Sequence, residues 1–595
     1  MIILGINAYH GDAAAVLIRD GTLVAAVEEE RLRRIKHWAG MPQLAIETCL
    51  RMANATADEI DIFAIPRQPR AHWWRKAGFV LRHRPRLSFL RQRQRHHRGH
   101  DHLAATLADA LGTTCQSIEQ RLFRVEHHQA HLDSAFYAAP FDQAAVCAID
   151  GFGDFVSTST GLGRGTTCKL LRRVYFPHSL GLLYLAITQY LGFTDYGDEY
   201  KVMGLAAHGT PDFDTSMQQL VSLQPGGRFS LDLSFFCHWS SGDHMTWENG
   251  RPTLGRVYSP KLETLLGPAR HPKAPVEARH AAIAASLQRV FERAMWHVLH
   301  ALYQQTRLPA LCLAGGCALN SVANGKIREQ TPFEHVYVQP AAADSGTALG
   351  AALHVWHRSG HGRQKRHWHM AHAGWGPSFE DDAYRTLLSL RSSDLQACHL
   401  RKIDDAEALC QWVSQQVAGG QVIGWFQGPM EWGPRALGHR SILADPRRPE
   451  MTDLINRKVK TREPFRPFAA SILEEALDDY FAHAYPDAFM TQVYAVRPEK
   501  RALIPAVTHV DGSCRIQVVG AQAHSLYRQL LESVAEHTGV PILLNTSFNV
   551  QEPIVHTPSE ALDCFLRTDI DILVLGHYAL LKTPHVAAHD PTHHV

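Results

Sequence analysis

His127 and His131 stand four residues apart in Glu126-His127-His128-Gln129-Ala130-His131, so both imidazoles leave one face if this segment is a helix. That is half of a metal site, although the spacing alone more often marks a structural pair. Asp150 and Asp344 tip the balance. Each follows an apolar run that reads as a strand, and open α/β sheets gather ligand-contacting groups at such ends. Two histidines and two aspartates make a mixed nitrogen and oxygen set suited to iron, manganese or zinc. Metal-assisted proteolysis is the weaker expectation, because the sequence contains no HExxH.

Gly315, Gly316 and Gly346 remove side chains where backbone amides could meet phosphates, and a helix opening after Asn320 would add its positive end. Each could equally be a plain turn residue; together they favour a nucleotide. A second constellation lies far downstream. The block from Gln427 to Ser441, with Arg435 among glycines and prolines, should cradle an anion, and Lys460, Arg462, Arg466 and Arg515 add fixed cations. Clustered cations in a packed setting call for a carboxylate or phosphate. Asn545-Thr546-Ser547-Phe548-Asn549 offers neutral hydrogen-bonding groups suited to a small amide or a ribose.

The elements that must hold these groups alternate in type. Apolar runs at Ile2 to Asn7, Ala13 to Ile18 and Thr22 to Val27 read as strands, the last two joined by a tight Asp20-Gly21 hairpin. Helical patterns at Pro42 to Ala53, His102 to Leu111 and Ala278 to Tyr303 interleave with strands at Ile60 to Ile65, Ala144 to Ile149, Ala310 to Ala314 and His335 to Val338. This is an α/β architecture. The polar, glycine-bearing stretch 361–372 reads as a linker between a first unit, 1–360, and a second, 373–595. No internal repeat is visible.

Composition narrows the field. The 595 residues carry 60 Lys+Arg against 58 Asp+Glu and are 45% hydrophobic, which excludes disorder as the main state and a wholly nucleic-acid-coating surface. No stretch is apolar enough to span a membrane, no secretory leader opens the chain, and the 11 cysteines include no CxxC pair. A cytoplasmic protein with free thiols is expected.

Several blocks resemble the NodU/TobZ family of O-carbamoyltransferases: GPRALGHRSILADPR at Gly433 to Arg447, KTREPFRPFAASIL at Lys460 to Leu473, THVDGSCR at Thr508 to Arg515 and NTSFN at Asn545 to Asn549. NAYHGDAAAVLIRDG, HHQAH, YKVMGLAAHG, LAGGCALN and AADSGTALGAA in the first half are similar to family blocks in the same order. The resemblance implies an N-terminal TsaD-like domain of actin/hexokinase type followed by a YrdC-like domain. It implies that the second converts carbamoyl phosphate and ATP to carbamoyladenylate, and that the first passes the carbamoyl group to an acceptor hydroxyl of a small molecule. Lys460, Arg462, Ser547, Asn549 and Arg515, with Arg435 and Arg466, then hold carbamoyl phosphate and the adenylate. His127, His131, Asp150 and Asp344 hold a divalent metal, iron(II) by resemblance, and Mg2+ accompanies ATP. Lys36, Lys201 and Asn320 become contacts to the nucleotide. His10 is the candidate general base, since imidazole titrates near working pH, with Asp12 orienting it or sharing the role.

Departures from the family are His439, Cys317 and the glycine inside His10-Gly11-Asp12. The stretch Arg67 to His100, with Trp73-Trp74 and eleven Lys/Arg, is less family-like: a solvated lobe, or a surface guiding an anionic acceptor or a membrane-bound lipid intermediate. Because carbamoyladenylate is water-labile, an enclosed passage between the domains is expected. Neither a nucleic-acid partner nor a membrane span is expected, and a homodimer is compatible with the reading. The alternatives are a HypF-type maturation factor, whose zinc-finger cysteines are missing here, and a non-catalytic RNA- or membrane-binding relative.

Overall fold

Asp20 and Gly21 both take positive φ, 50° and 80°, the backbone that a two-residue hairpin demands, and they pair Ala14–Arg19 with Thr22–Glu28. The hairpin opens a five-stranded sheet in this computed structural model, which describes residues 1–85, 102–240, 246–363, 366–521 and 525–583. In chain order its strands are Ile2–Asn7, Ala14–Arg19, Thr22–Glu28, Ile62–Ile65 and Leu122–Arg124. They lie in the order third, second, first, fourth, fifth; the first three are antiparallel and the last two run parallel to the first.

The same topology then returns. Gln143–Gly153, Val156–Arg164, Thr167–Tyr175, Ala310–Ala314 and His335–Val338 form a second sheet with identical order and directions. Two such sheets in tandem are the architecture of the actin/hexokinase type. The absence of an internal repeat in the sequence reading is therefore corrected at the level of topology. What repeats is a hydrogen-bonding order, and each strand needs only to be apolar to satisfy it.

A helix follows the fifth strand of each sheet, His127–Ala138 in one and Ser345–Arg358 in the other. They meet closely: a Cβ on Gly350 would come 1.8 Å from the Ala130 carbonyl oxygen, and one on Gly5 would come 2.0 Å from that of Ala348. Ala130, Leu132, Ala135 and Phe136 pack with Ala348, Leu349, Ala351 and Ala352 in one core between the sheets. Between the third and fourth strands of the second sheet the chain inserts helices Leu180–Tyr190, Glu199–Ala206 and Ala278–Thr306.

The second unit is a nine-stranded mixed sheet over 398–582. Helices Ala406–Ala418 and Ser525–Thr538 cover one face, and a separate apolar cluster fills the other. Ala469 pairs with both Arg515 and Asn545, so the residues around Arg515 and Ser547 emerge at one end of neighbouring strands. Residues 366–372 lie strapped against the first unit, with Arg366 donating to the Phe136 carbonyl at 2.6 Å and the Met370 amide to Ala138 at 2.9 Å; 364 and 365 fall outside the described residues. No helix among the described residues is long and apolar enough to cross a membrane. All eleven cysteines are free.

Candidate active site

Glu126 caps the helix that carries the histidine pair, accepting from the amides of His128 at 3.3 Å and Gln129 at 2.9 Å, and Arg173 holds its carboxylate at 2.7 Å. From the first and second turns His127 and His131 bring their Nε2 atoms to 3.1 Å of one another. Each Nε2 lies 3.4 Å from Oδ1 of Asp344, and they lie 3.7 and 3.8 Å from Oδ2 of Asp150. All four side chains are buried. Gly153 makes the room, because a Cβ there would sit 1.8 Å from Cδ2 of His127.

The four residues thus meet as the spacing and strand-end positions predicted, with one donor atom from each within 4.8 Å of the others. Ligands about 2.0–2.2 Å from a common ion stand roughly 3–3.6 Å apart, so this donor set fits a metal. One buried atom points the same way: Asp344 Oδ1, 3.4 Å from both Nε2 atoms, has no hydrogen-bond partner. Burial opposes charge here, but His10, His127 and His131 hold the Asp344 carboxyl well below the usual range. Burial and the Asp344 charge push Asp150 up, yet the two histidines hold it at about 2. His128, between the two, is driven by burial down to about 3 and stays neutral.

His10 reaches the same cluster. Its Nδ1 pairs with Asp344 Oδ2, and its ring centroid lies 5.8 Å from that of His127. Asp12 does not orient it: Asp12 Oδ1 is 2.7 Å from Nδ1 of His37, whose amide donates to Glu30 at 2.7 Å. Burial opposes the charge on His37, but Asp12 and Glu30 raise it to about 9, so the group is a closed ion pair. Sequence reasoning passed over His37, Tyr196 and Glu199. Tyr196 lies over the His10 turn, its hydroxyl 2.4 Å from where a Gly11 Cβ would be, and burial lifts the Glu199 carboxyl to about 7. The polar run Asp195-Tyr196-Gly197-Asp198-Glu199 ahead of an amphipathic helix was their only signal.

The glycines and Asn320 each make close contacts inside the fold. Gly315, at φ 87°, passes so close that a Cβ would meet the Ile149 carbonyl at 2.3 Å. The Gly316 amide donates to Asp150 Oδ1 at 2.9 Å, which fixes the aspartate. Gly346 is needed for packing, since a Cβ would lie 2.2 Å from the Ala341 carbonyl. Asn320 caps a helix through Ala323 at 3.0 Å and exchanges hydrogen bonds with Gln288.

In the second unit Lys460, 1% exposed, donates to Oδ1 and the carbonyl of Asn549, both at 2.8 Å, to Ser547 Oγ at 3.3 Å and to the Ser547 carbonyl. All of these partners are neutral. Burial pulls Lys460 well below its ordinary value, and Arg462, Lys36 and Arg466 repel it further. Burial brings Arg462 to about 9 and Arg435 to about 10, and pulls Arg515 well down, with Arg435 and Arg462 adding their repulsion. The Nε of Arg515 is buried without a partner. Lys36 and Lys201, assigned from sequence to the first site, instead face this group from across the boundary: Lys201 lies 2.7 Å from Asp198 and 3.9 Å from Glu463, and Arg466 donates to Tyr200 at 2.8 Å. Seven cations from both units are therefore gathered here; Lys201 and Arg466 have carboxylate partners in Asp198 and Glu463, while Lys460, Arg462 and Arg515 are buried with no ion pair among the described residues and call for an anion.

The family models for the carbamoyltransferase N-terminus and C-terminus match residues 2–353 and 414–582. The chain belongs to this family. It is 40% identical to an uncharacterized Synechocystis protein, sll1178, over 98% of this chain and 97% of that one. The nodulation protein NolNO of Sinorhizobium fredii is 38% identical over 97% of this chain and 80% of its own, and NolO of Bradyrhizobium diazoefficiens 40% over 77% and 79%. Among solved structures, component A of the Acidaminococcus fermentans (R)-2-hydroxyglutaryl-CoA dehydratase covers 60% of this chain and 98% of its own at 12% identity and a TM-score of 0.34, too weak a likeness to build on. Two separate polar centres thus lie on a carbamoyltransferase chain.

A cavity of about 560 Å³ lies between the units, with Arg515, His509 and Phe468 on one wall and Gln288, Trp296 and Ser321 on the other. It reaches the cation group. None of the four His/Asp residues lines it.

Proposed function

We propose that this carbamoyltransferase uses ATP and carbamoyl phosphate to carbamoylate a hydroxyl of a small natural product. The observation that carries the proposal is the group of buried cations around Arg515, which mutual repulsion destabilises until polyphosphate charge enters. There Arg435, Arg462 and Arg515 neutralise phosphate oxygens, while Lys460, held by Ser547 and Asn549, fixes the carbamoyl end. A water cleaves carbamoyl phosphate to carbamate and phosphate, and a carbamate oxygen then attacks the α-phosphorus of ATP, forming carbamoyladenylate as pyrophosphate leaves.

In the second step the acceptor oxygen attacks the carbamoyl carbon and AMP leaves. A metal bound by His127, His131, Asp150 and Asp344 would supply Lewis acidity to the carbonyl or the leaving phosphate. His10, oriented by Asp344, takes the proton of the acceptor hydroxyl. The buried cluster excludes water from the reactive anhydride.

The test separates the halves. Wild-type protein should release pyrophosphate from ATP only when carbamoyl phosphate is present. His127→Ala should keep this release, lose bound metal and stop addition of carbamoyl mass to hydroxylated acceptors read by mass spectrometry. Pyrophosphate release that ignores carbamoyl phosphate would overturn the reading.

A further inference from the structure

The helix Trp73–His83 belongs to neither centre. One side is anchored: Phe79 is buried, 6.0 Å from the Phe155 ring and 4.9 Å from that of Phe176, and Lys76 donates to the Pro69 carbonyl at 2.8 Å. The other side is bare. Trp73 is 52%, Trp74 71% and Leu81 78% exposed, and the two indoles stack at 3.3 Å. At ~100° per residue, Trp73, Ala77, Leu81 and Trp74 fall in one stripe about a quarter of the circumference wide. Other exposed large apolar side chains among the described residues, such as Leu390 and Val510, stand apart on other elements.

The segment that carries this stripe has charge of one sign, although Glu126 and Asp154 meet its anchored beginning at His72 and Gln68. Arg67, Arg70, Arg75, Lys76, Arg82 and Arg84 occur between positions 67 and 85, with no aspartate or glutamate. We propose that this helix docks the protein on a membrane surface bearing anionic lipids, its indoles and Leu81 in the boundary below the headgroups and its arginines at the phosphates. Indoles favour that boundary, and basic residues flanking an apolar stripe mark helices that lie in it. Eleven residues are too few to cross a bilayer, so the helix rests on it. A second copy of this chain would bring like charges together, and Leu81, the most exposed of the three side chains at 78%, offers an RNA base no ring to stack on. The surface is tied to the metal-ligand helix, because Asp154 Oδ2 accepts both the Gln68 amide at 2.7 Å and the His127 amide at 3.1 Å.

The experiment sediments the full chain with phosphatidylcholine vesicles, with and without phosphatidylglycerol, at low and high salt. Wild type should bind the anionic vesicles at least ~10-fold more, and salt should reduce the difference. W73S/W74S/L81S should lose binding while thermal melting stays unchanged, and R75E/R82E should lose the dependence on phosphatidylglycerol. Equal binding to both vesicle types, or unaltered binding by the triple variant, overturns the proposal. So would binding of an RNA oligonucleotide without vesicle binding, or a concentration-dependent dimer that the triple variant abolishes.

Discussion

Arg515 lies among cations that repel it, so removing it should make the empty protein no less stable while disabling the filled one. Arg515→Ala is expected to slow carbamoyl phosphate-dependent pyrophosphate release about 10²–10³-fold, the usual loss when one charge-stabilising donor is deleted. Its melting temperature should hold or rise. His37 gives a different signature. Its folded pKa, raised from 6.5 to about 9, means that pairing with Asp12 stabilises the turn fully below pH 6.5 and that the contribution disappears as pH rises through 9. Melting of wild type should fall across that interval, and His37→Asn should melt with a flatter profile. The histidine pair was legible in the sequence from its four-residue spacing taken with aspartates at strand ends, and the arginines from their density among glycines and prolines. Tyr196, Glu199 and His37 were not, since only folding brings a turn, a loop and a helix start together.

At the scale of elements the strands were readable nearly to the residue: Ile2–Asn7, Ala310–Ala314 and His335–Val338 stand where their apolar runs ended. Uniform burial on both faces leaves such runs with few other options. Glycines were the harder signal. Gly315, Gly316 and Gly346 invited a phosphate, and in the fold carbonyl groups crowd the Cα positions of Gly315 and Gly346 while Asp150 accepts from the Gly316 amide. A glycine records that something comes close, not what. Gly350 tests the distinction without touching ligands. Gly350→Val should force its helix off Ala130 and cost about 1–3 kcal/mol, measured by denaturant titration, with metal content falling because the shift displaces Asp344 relative to His131.

The whole molecule is held together by cations sent from the first unit into the second. Arg31, 2% exposed, donates to the Gly433 carbonyl while pairing with Glu28 at 3.1 Å, and Arg34 donates to the carbonyls of Pro553 and Ile554 at 2.6 and 2.7 Å. Arg31→Ala leaves Glu28 buried and unpaired, an omission worth about 3–5 kcal/mol. Calorimetry should then resolve two unfolding events where wild type shows one.

The duplicated sheet carries a last consequence. His10 follows the first strand of one sheet and Asp150 lies near the end of the first strand of the other, and His127 and Asp344 stand at corresponding helix starts after the fifth. The centre therefore sits on an approximate dyad, drawing half its grip from each lobe. A metal bound there would join the two lobes as well as serve the reaction, so drawing the lobes apart would strip it of half its ligands.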